Sequence, residues 1–238
     1  MNIMILVAHR GFRGLYGENR EYDFKNAPTI CKAVEFDIRL TKDDKIIIFH
    51  DHNFKRIGNL NRGVKTLTYD EITKIPYFVE NPLATPILFE VFMDKYFDQY
   101  EMINVEIKPD HYTEEELDII FNAIKKYCNK GVEIIVSSFS PVVLKEILKR
   151  KENYYKSGYL FEKMSQFDVQ LGKKFDFLHP PITLLKKQSN CELFKKLNIP
   201  LNVWTFKKMS DVETIHKMYK DLINGYISDY PDLYPKTN

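Results

Sequence analysis

The 238-residue sequence predicts an α/β fold in which parallel strands alternate with covering helices, at a length that suits a single eight-stranded α/β barrel. Three observations lead there. Short apolar runs of strand length recur from end to end, several of the intervening segments carry their own helix-start signals, and no linker, low-complexity tract or solenoid repeat interrupts the series. One domain over residues 1–238 is expected.

The expected strands are, in order, "IMILVA" (3–8), "AVEFDI" (33–38), "IIIFH" (46–50), "MINVEI" (102–107), "EIIVSS" (133–138), "SGYLFE" (157–162), "FDFL" (175–178), "LNVWTF" (201–206) and "GYISD" (225–229). Helix starts are marked by the capping-box pairs Thr68/Glu71, Thr113/Glu116, Ser189/Glu192 and Ser210/Glu213, and by Ser140 followed by Pro141. After Thr113, the apolar residues Leu117, Ile120, Phe121, Ile124 and Cys128 keep helical spacing. Val212, Ile215, Tyr219 and Leu222 do so after Ser210. Nine strands are one too many for the barrel. Only seven residues separate the second run from the third, too few for a parallel crossover, so these two should form an antiparallel hairpin across residues 33–50. A turn near Lys42–Asp44 would set His50 roughly opposite Glu35.

With 44% hydrophobic residues the chain can bury a sizeable core, and 35 basic against 33 acidic residues leave a net charge of only +2. Such dispersed, balanced charge argues against nucleic-acid binding. Cys31, Cys128 and Cys191 have no metal or disulfide spacing and read as free thiols. The N-terminus lacks a signal-peptide pattern, and no apolar stretch approaches a transmembrane span. A cytoplasmic protein without a transmembrane segment is expected, with peripheral membrane association left open. The segment "IPYFVENPLATPILF" (75–89) reads as mostly core-facing.

Two strands carry unusual charge. In "AVEFDIRL" the apolar residues fall on one face and Glu35, Asp37 and Arg39 on the other, and in "INVEIKP" Asn104, Glu106 and Lys108 likewise share a face. Charged residues on barrel strands are tolerated mainly near the C-terminal mouth, so Glu35, Asp37 and Glu106 should converge there. Three carboxylates in one small volume require a counter-charge. A divalent ion with oxygen ligands, Mg²⁺ or Ca²⁺, would supply it, as would ion pairs with Arg10, Arg39 or Lys108. His9 and His50 are candidate proton carriers on the same rim, and Arg10 with Lys108 suits an anionic substrate. The set points to phosphoryl chemistry.

These pieces together resemble the glycerophosphodiester phosphodiesterase family along nearly the whole chain. The resemblance rests on "HRGFRGLYGEN" (9–19), "EFDIRLTKDDKIIIFHD" (35–51), "NVEIK" (104–108), "SSFSP" (137–141), "LNVWTFK" (201–207) and "SDYPDLY" (228–234), in family order. It implies a (β/α)₈ TIM barrel that hydrolyses glycerophosphodiesters, such as glycerophosphocholine and glycerophosphoethanolamine, to sn-glycerol 3-phosphate and an alcohol. It also implies a divalent metal ion on Glu35, Asp37 and Glu106, His9 and His50 as the acid–base pair, and phosphate contacts from Arg10 and Lys108. Glu18 and Trp204, the only tryptophan, match positions that line or support the pocket. The sequence departs from the family pattern at Gly17, Arg20 and Asp44 and in "HDHNFKRIG" (50–58), none of them a metal ligand or proton carrier. A connection after His50 that begins a helix by Thr68 argues against a large inserted cap. The residues by themselves also admit a related phospholipase or sphingomyelinase-like barrel, a glycoside hydrolase using Glu35 and Glu106, and a non-catalytic binding protein.

Overall fold

The computed structural model describes residues 5–15 and 17–233. Eight parallel strands close a barrel: β1 (Ile5–His9), β2 (Ala33–Leu40), β6 (Met102–Ile107), β7 (Glu133–Ser138), β8 (Lys156–Leu160), β9 (Phe177–His179), β10 (Leu201–Phe206) and β11 (Ile223–Ser228). Closure is made by β1, which pairs with both β11 and β2. The surplus ninth run is β3 (Ile46–Ile48), antiparallel to β2 as the short connection requires. Its register differs from the expected one by a residue. Ile38 faces Ile48, Arg39 faces Ile47, and the Phe49 amide donates to the Asp37 carbonyl, so His50 lies past the end of the ladder and one step from Glu35. Residues 3 and 4 of the first expected strand, and Tyr234 of the last motif, lie outside the described residues.

Along the barrel the side chains alternate as the pleat dictates. Phe36 points outward and meets Phe92 of α5 (Phe89–Tyr96), ring centroids 4.7 Å apart, and Phe24 of α1 (Glu21–Asn26) at 5.6 Å. Inward, each strand changes character in one two-residue step. Val7, Ala33, Met102, Ile135, Phe177 and Ile227 form an apolar plug at the barrel floor. Two residues on, each is followed by a polar group: His9, Glu35, Asn104, Ser137, His179 and Asp229. The floor supports the polar layer that becomes the site.

Several helix starts follow the sequence signals. Thr68 and Thr113 form reciprocal capping boxes with Glu71 and Glu116, opening α3 (Tyr69–Thr73) and α6 (Glu114–Lys125), and Ser140 accepts from the Val143 amide at the start of α7 (Pro141–Arg150). Ser189 and Ser210 do not cap. Their helices, α10 (Gln188–Leu197) and α11 (Met209–Tyr219), begin earlier, so both serines lie inside the first turn. Leu117, Ile120, Phe121 and Ile124 are all buried against the barrel, as their spacing demands.

The connection after His50 is more than a short link. It holds a two-stranded ribbon of β4 (Asn53–Phe54) and β5 (Leu60–Gly63), the one-turn helix α2 (Lys55–Gly58), α3, and α4 (Pro76–Glu80). These close over a core of their own, built from Ile47, Phe49, Phe54, Val64, Leu67, Ile72, Ile75 and Phe78. Within the 75–89 segment Ile75, Phe78, Ile87 and Phe89 are buried as expected, whereas Tyr77, Val79 and Leu83 are exposed. Among the described residues no helix is long and apolar enough to cross a membrane.

Two outcomes follow from this packing. Phe92 touches Phe24, Phe36, Tyr96 and Tyr100, so Phe92→Ala should lower unfolding free energy by about 3–5 kcal/mol, read as a fall in urea midpoint at unchanged slope. His179 is fully buried in the barrel, with Nε2 against the Asn202 amide at 3.0 Å, and burial depresses its pKa from 6.5 to about 3. Between those values the unfolded chain binds a proton that the folded chain refuses, so stability is lost as pH falls below 6.5. At pH 5 the loss is about 2 kcal/mol, and urea titrations at pH 7 and 5 should show the wild type losing about that much more than His179→Gln.

Candidate active site

The polar layer opens into a cavity of about 470 Å³ at the C-terminal ends of the strands, where barrels of this kind place their sites. Parallel register sets its floor: His9 lies level with Glu35, Glu35 with Asn104, and Asp37 with Glu106. Because all are inward positions on adjacent strands, the three acids meet. One oxygen from each of Glu35, Asp37 and Glu106 lies within 4.8 Å of the others, and all three residues are buried.

Their electrostatics are divided. Burial and the neighbouring Asp37 and Glu106 carboxylates push Glu35 well above the ordinary carboxylate range. Glu106 is also raised, by burial together with Asp37. Asp37 goes the other way. Against the cost of burial, Lys108 and Arg10 hold it far below its usual value. Lys108 Nζ lies 3.3 Å from Asp37 and 2.6 Å from Glu106 Oε1, the latter contact out of hydrogen-bond alignment, and Arg10 Nε lies 3.2 Å from Asp37. Asn19 Nδ2 donates to Asp37 Oδ2, the oxygen that Arg10 also faces, at 2.8 Å. Ion pairing and metal binding are therefore not exclusive here. Two cations serve three buried acids, and the remaining deficit, seen in the raised Glu35 and Glu106, fits a hard cation with oxygen ligands. Arg39, by contrast, turns away to the His50 carbonyl and Asp110.

Arg10 reaches the acids because the chain after β1 coils with positive φ at Arg10 (+50°), Gly11 (+76°) and Phe12 (+68°). Only glycine fits the second position, where a Cβ would come within 2.7 Å of Asp23. The turn also directs the Arg10 amide to the Glu35 carbonyl at 2.8 Å.

Both histidines line the cavity, and each rests on a carboxylate that sequence reasoning had not assigned a role. His9 Nδ1 lies 2.5 Å from Asp229 Oδ1, and His50 Nδ1 lies 2.7 Å from Asp51 Oδ1. Each imidazole thereby turns Nε2 away from its carboxylate. Burial lowers the His9 pKa, partly offset by Asp229. Burial likewise lowers that of His50, opposed by Asp37 and helped by Lys108. Asp229 sits in "SDYP" and Asp51 in "FHD". Position could have flagged Asp229, two residues beyond an inward apolar residue on the last strand. Asn104, another cavity residue, accepts from Ser137 Oγ at 3.2 Å and had the same signal.

Trp204 lies in the cavity wall, half-buried, with its ring edge-on to Phe139 and Nε1 donating to the His179 carbonyl. Glu18 lies outside that wall. Its carboxylate takes guanidinium groups from Arg10 at 3.1 Å, Arg13 at 3.6 Å and Arg56 at 2.5 Å, so it supports the pocket from behind.

Comparison with known proteins accounts for this constellation. The sequence model of the glycerophosphoryl diester phosphodiesterase family matches residues 9–233. The chain belongs to that family. It is 30% identical over 240 residues to a glycerophosphodiester phosphodiesterase of Caldanaerobacter subterraneus, covering 96% of this chain and 95% of that one. It is 31% identical over 217 residues to an uncharacterised protein of Mycoplasma genitalium, covering 86% and 87%. The fold is shared with the crystal structure of a Thermotoga maritima glycerophosphodiester phosphodiesterase (TM-score 0.77, 24% identity, 98% and 97% coverage). It is shared too with an Oleispira antarctica phosphodiesterase in complex with the product sn-glycerol-3-phosphate (TM-score 0.80, 21% identity, 95% and 93% coverage).

If the three acids hold a cation, Mg²⁺ or Ca²⁺ should raise the melting temperature of the wild type. Glu35→Gln and Glu106→Gln should abolish that shift, as differential scanning fluorimetry would report.

Proposed function

We propose that this phosphodiesterase cleaves glycerophosphodiesters to sn-glycerol 3-phosphate and an alcohol by general acid–base catalysis from His9 and His50, on a phosphate held by Arg10 and Lys108. The observation that carries the reading is the pair of imidazoles, each backed by a carboxylate, on one cavity with two buried cations and three acids. Family membership supplies the reaction, and the residues supply the roles.

Glu35, Asp37 and Glu106 would hold a divalent cation, Mg²⁺ or Ca²⁺, which as a Lewis acid supplies charge stabilisation for a phosphoryl oxygen. The rest is done by the chain itself. Arg10 and Lys108, already charged and locked by Asp37, offset negative charge on the phosphate as it grows in the transition state. Their fixed positions avoid reorganisation at the moment of reaction. With burial holding both imidazoles below their ordinary pKa, one can accept the proton of the nucleophile near neutral pH. The other, once protonated, is steadied by its carboxylate and gives its proton to the departing alcohol. Asp229 and Asp51 keep Nδ1 occupied, leaving Nε2 of each ring to face the cavity. Trp204 and Phe139, packed edge to face, form part of the cavity wall.

The test is release of sn-glycerol 3-phosphate from glycerophosphocholine and glycerophosphoethanolamine, with Mg²⁺, with Ca²⁺ and with EDTA. Wild-type release should require the divalent ion. His9→Ala and His50→Ala, folded by circular dichroism, should each lose about 10²–10⁴-fold in kcat. Release unaffected by EDTA, or by either substitution, would overturn the assignment.

A further inference from the structure

Arg56, in the inserted segment, reaches carboxylates on both sides of the site, Asp51 and Glu18. It lies in α2, between Phe54, which is fully buried in the insertion's own core, and the buried Gly58 that ends the helix, so its backbone is anchored. Its side chain spans the gap between two loops. Nε donates to Asp51 Oδ2 at 2.7 Å and Nη2 to Asp51 Oδ1 at 3.0 Å, while Nη1 and Nη2 reach Glu18 at 3.2 and 2.5 Å. The planar fork is used on two edges at once, a geometry that lysine cannot reproduce. Beyond it, alternating charges continue on both sides: Asp51 to His50 Nδ1, and Glu18 to Arg10 and on to Asp37.

We infer that Arg56 is a positioning residue for the reaction: by clamping Asp51 against His50 it fixes that imidazole with Nδ1 occupied and Nε2 presented to the substrate. The inference rests on the proposed role of His50 as a proton carrier. Both Asp51 oxygens are engaged by Arg56, and one of them also holds His50 Nδ1. Without Arg56 that carboxylate can rotate, and His50, itself about a third exposed, loses the partner that selects its tautomer and direction. Arg56 touches none of the cavity's acids and does not line the cavity, so it acts only through Asp51 and Glu18. It is half-exposed, and ion pairs so exposed contribute little to folding stability. A loss of turnover would therefore not be a loss of fold.

The experiment measures kcat and KM for glycerophosphocholine hydrolysis in wild type, Arg56→Ala, Arg56→Lys, Asp51→Asn, the Arg56→Ala/Asp51→Asn double variant and His50→Ala, each checked for melting temperature. Arg56→Ala should lower kcat about 10–100-fold with KM changed less than about threefold. Arg56→Lys should restore only part of it. Millimolar guanidinium should rescue Arg56→Ala and leave Arg56→Lys and Asp51→Asn unimproved, because only the alanine variant leaves a guanidinium-shaped gap. The double variant should lose clearly less than the product of the two single losses, since both single changes break the same Arg56–Asp51 contact. Additive losses, an effect on KM alone, or an Arg56→Ala kcat within twofold of wild type would overturn the inference. Arg56→Lys carries the same test through its partial loss should the alanine variant fold poorly. A fully active His50→Ala would instead overturn the two-histidine reading, so the two failures are distinct.

Discussion

Adjacent parallel strands in register bring Glu35, Asp37 and Glu106 into one buried volume, and most of the site is arranged to make that tolerable. Burying charge is expensive, and a buried ion cluster adds little net stability even when well paired. The compensation is built from both ends. Lys108 stands one strand step beyond Glu106, and Arg10 is swung in by a turn held in positive φ over three consecutive residues. Such backbone costs energy and persists where the surroundings hold it in place. Here the Arg10 amide bonded to the Glu35 carbonyl, and the Phe12 and Arg13 amides bonded to the His9 carbonyl, do so. The cations that neutralise the acids, Arg10 and Lys108, are the same two proposed to hold the phosphate, so on that proposal one arrangement serves both the buried cluster and the anion.

The two histidines are placed by different means. His9 ends the first strand and finds its carboxylate, Asp229, at the end of the last, 220 residues away, because closure of the barrel makes β1 and β11 neighbours. His50 finds Asp51 next door, at the end of a hairpin too short to cross the sheet. The first pairing is enforced by the rigid sheet. The second depends on what holds a turn, and the inserted segment with its own apolar core is what lies against it.

Two of the departures from the family pattern, Gly17 and Arg20, lie beside this insertion. Gly17, where the family pattern has proline, has φ +153°, and a side chain there would strike the Arg20 guanidinium. Arg20 in turn forks onto Asp23 at 3.0 and 3.1 Å. Proline at 17 is incompatible with that φ, so the glycine and the arginine form one local solution. Neither residue is among the proposed metal ligands or proton carriers.

The sequence by itself determined a great deal. Alternation of apolar and charged residues in 33–40 and 103–109 placed the acids on one face, because the strand pleat has a period of two whatever the surroundings. Seven residues between two runs forced the hairpin, since chain length limits a crossover. Thr113 and Ser140 started their helices because a capping hydroxyl acts locally. Where signals were local but weak, as at Ser189 and Ser210, the helices began elsewhere. Only the tertiary structure decided the rest. Which carboxylate serves His9 and that Arg56 joins Arg10 and Arg13 on Glu18 depend on contacts between segments far apart in sequence. That residues from Ile47 to Phe78 build a second core, and that His50 sits one step off its expected register, depend on how the hairpin and the segment after it pack. Pleat, cap and loop length are properties of neighbouring residues. Closure of a barrel is a property of the whole chain, and no local pattern records it.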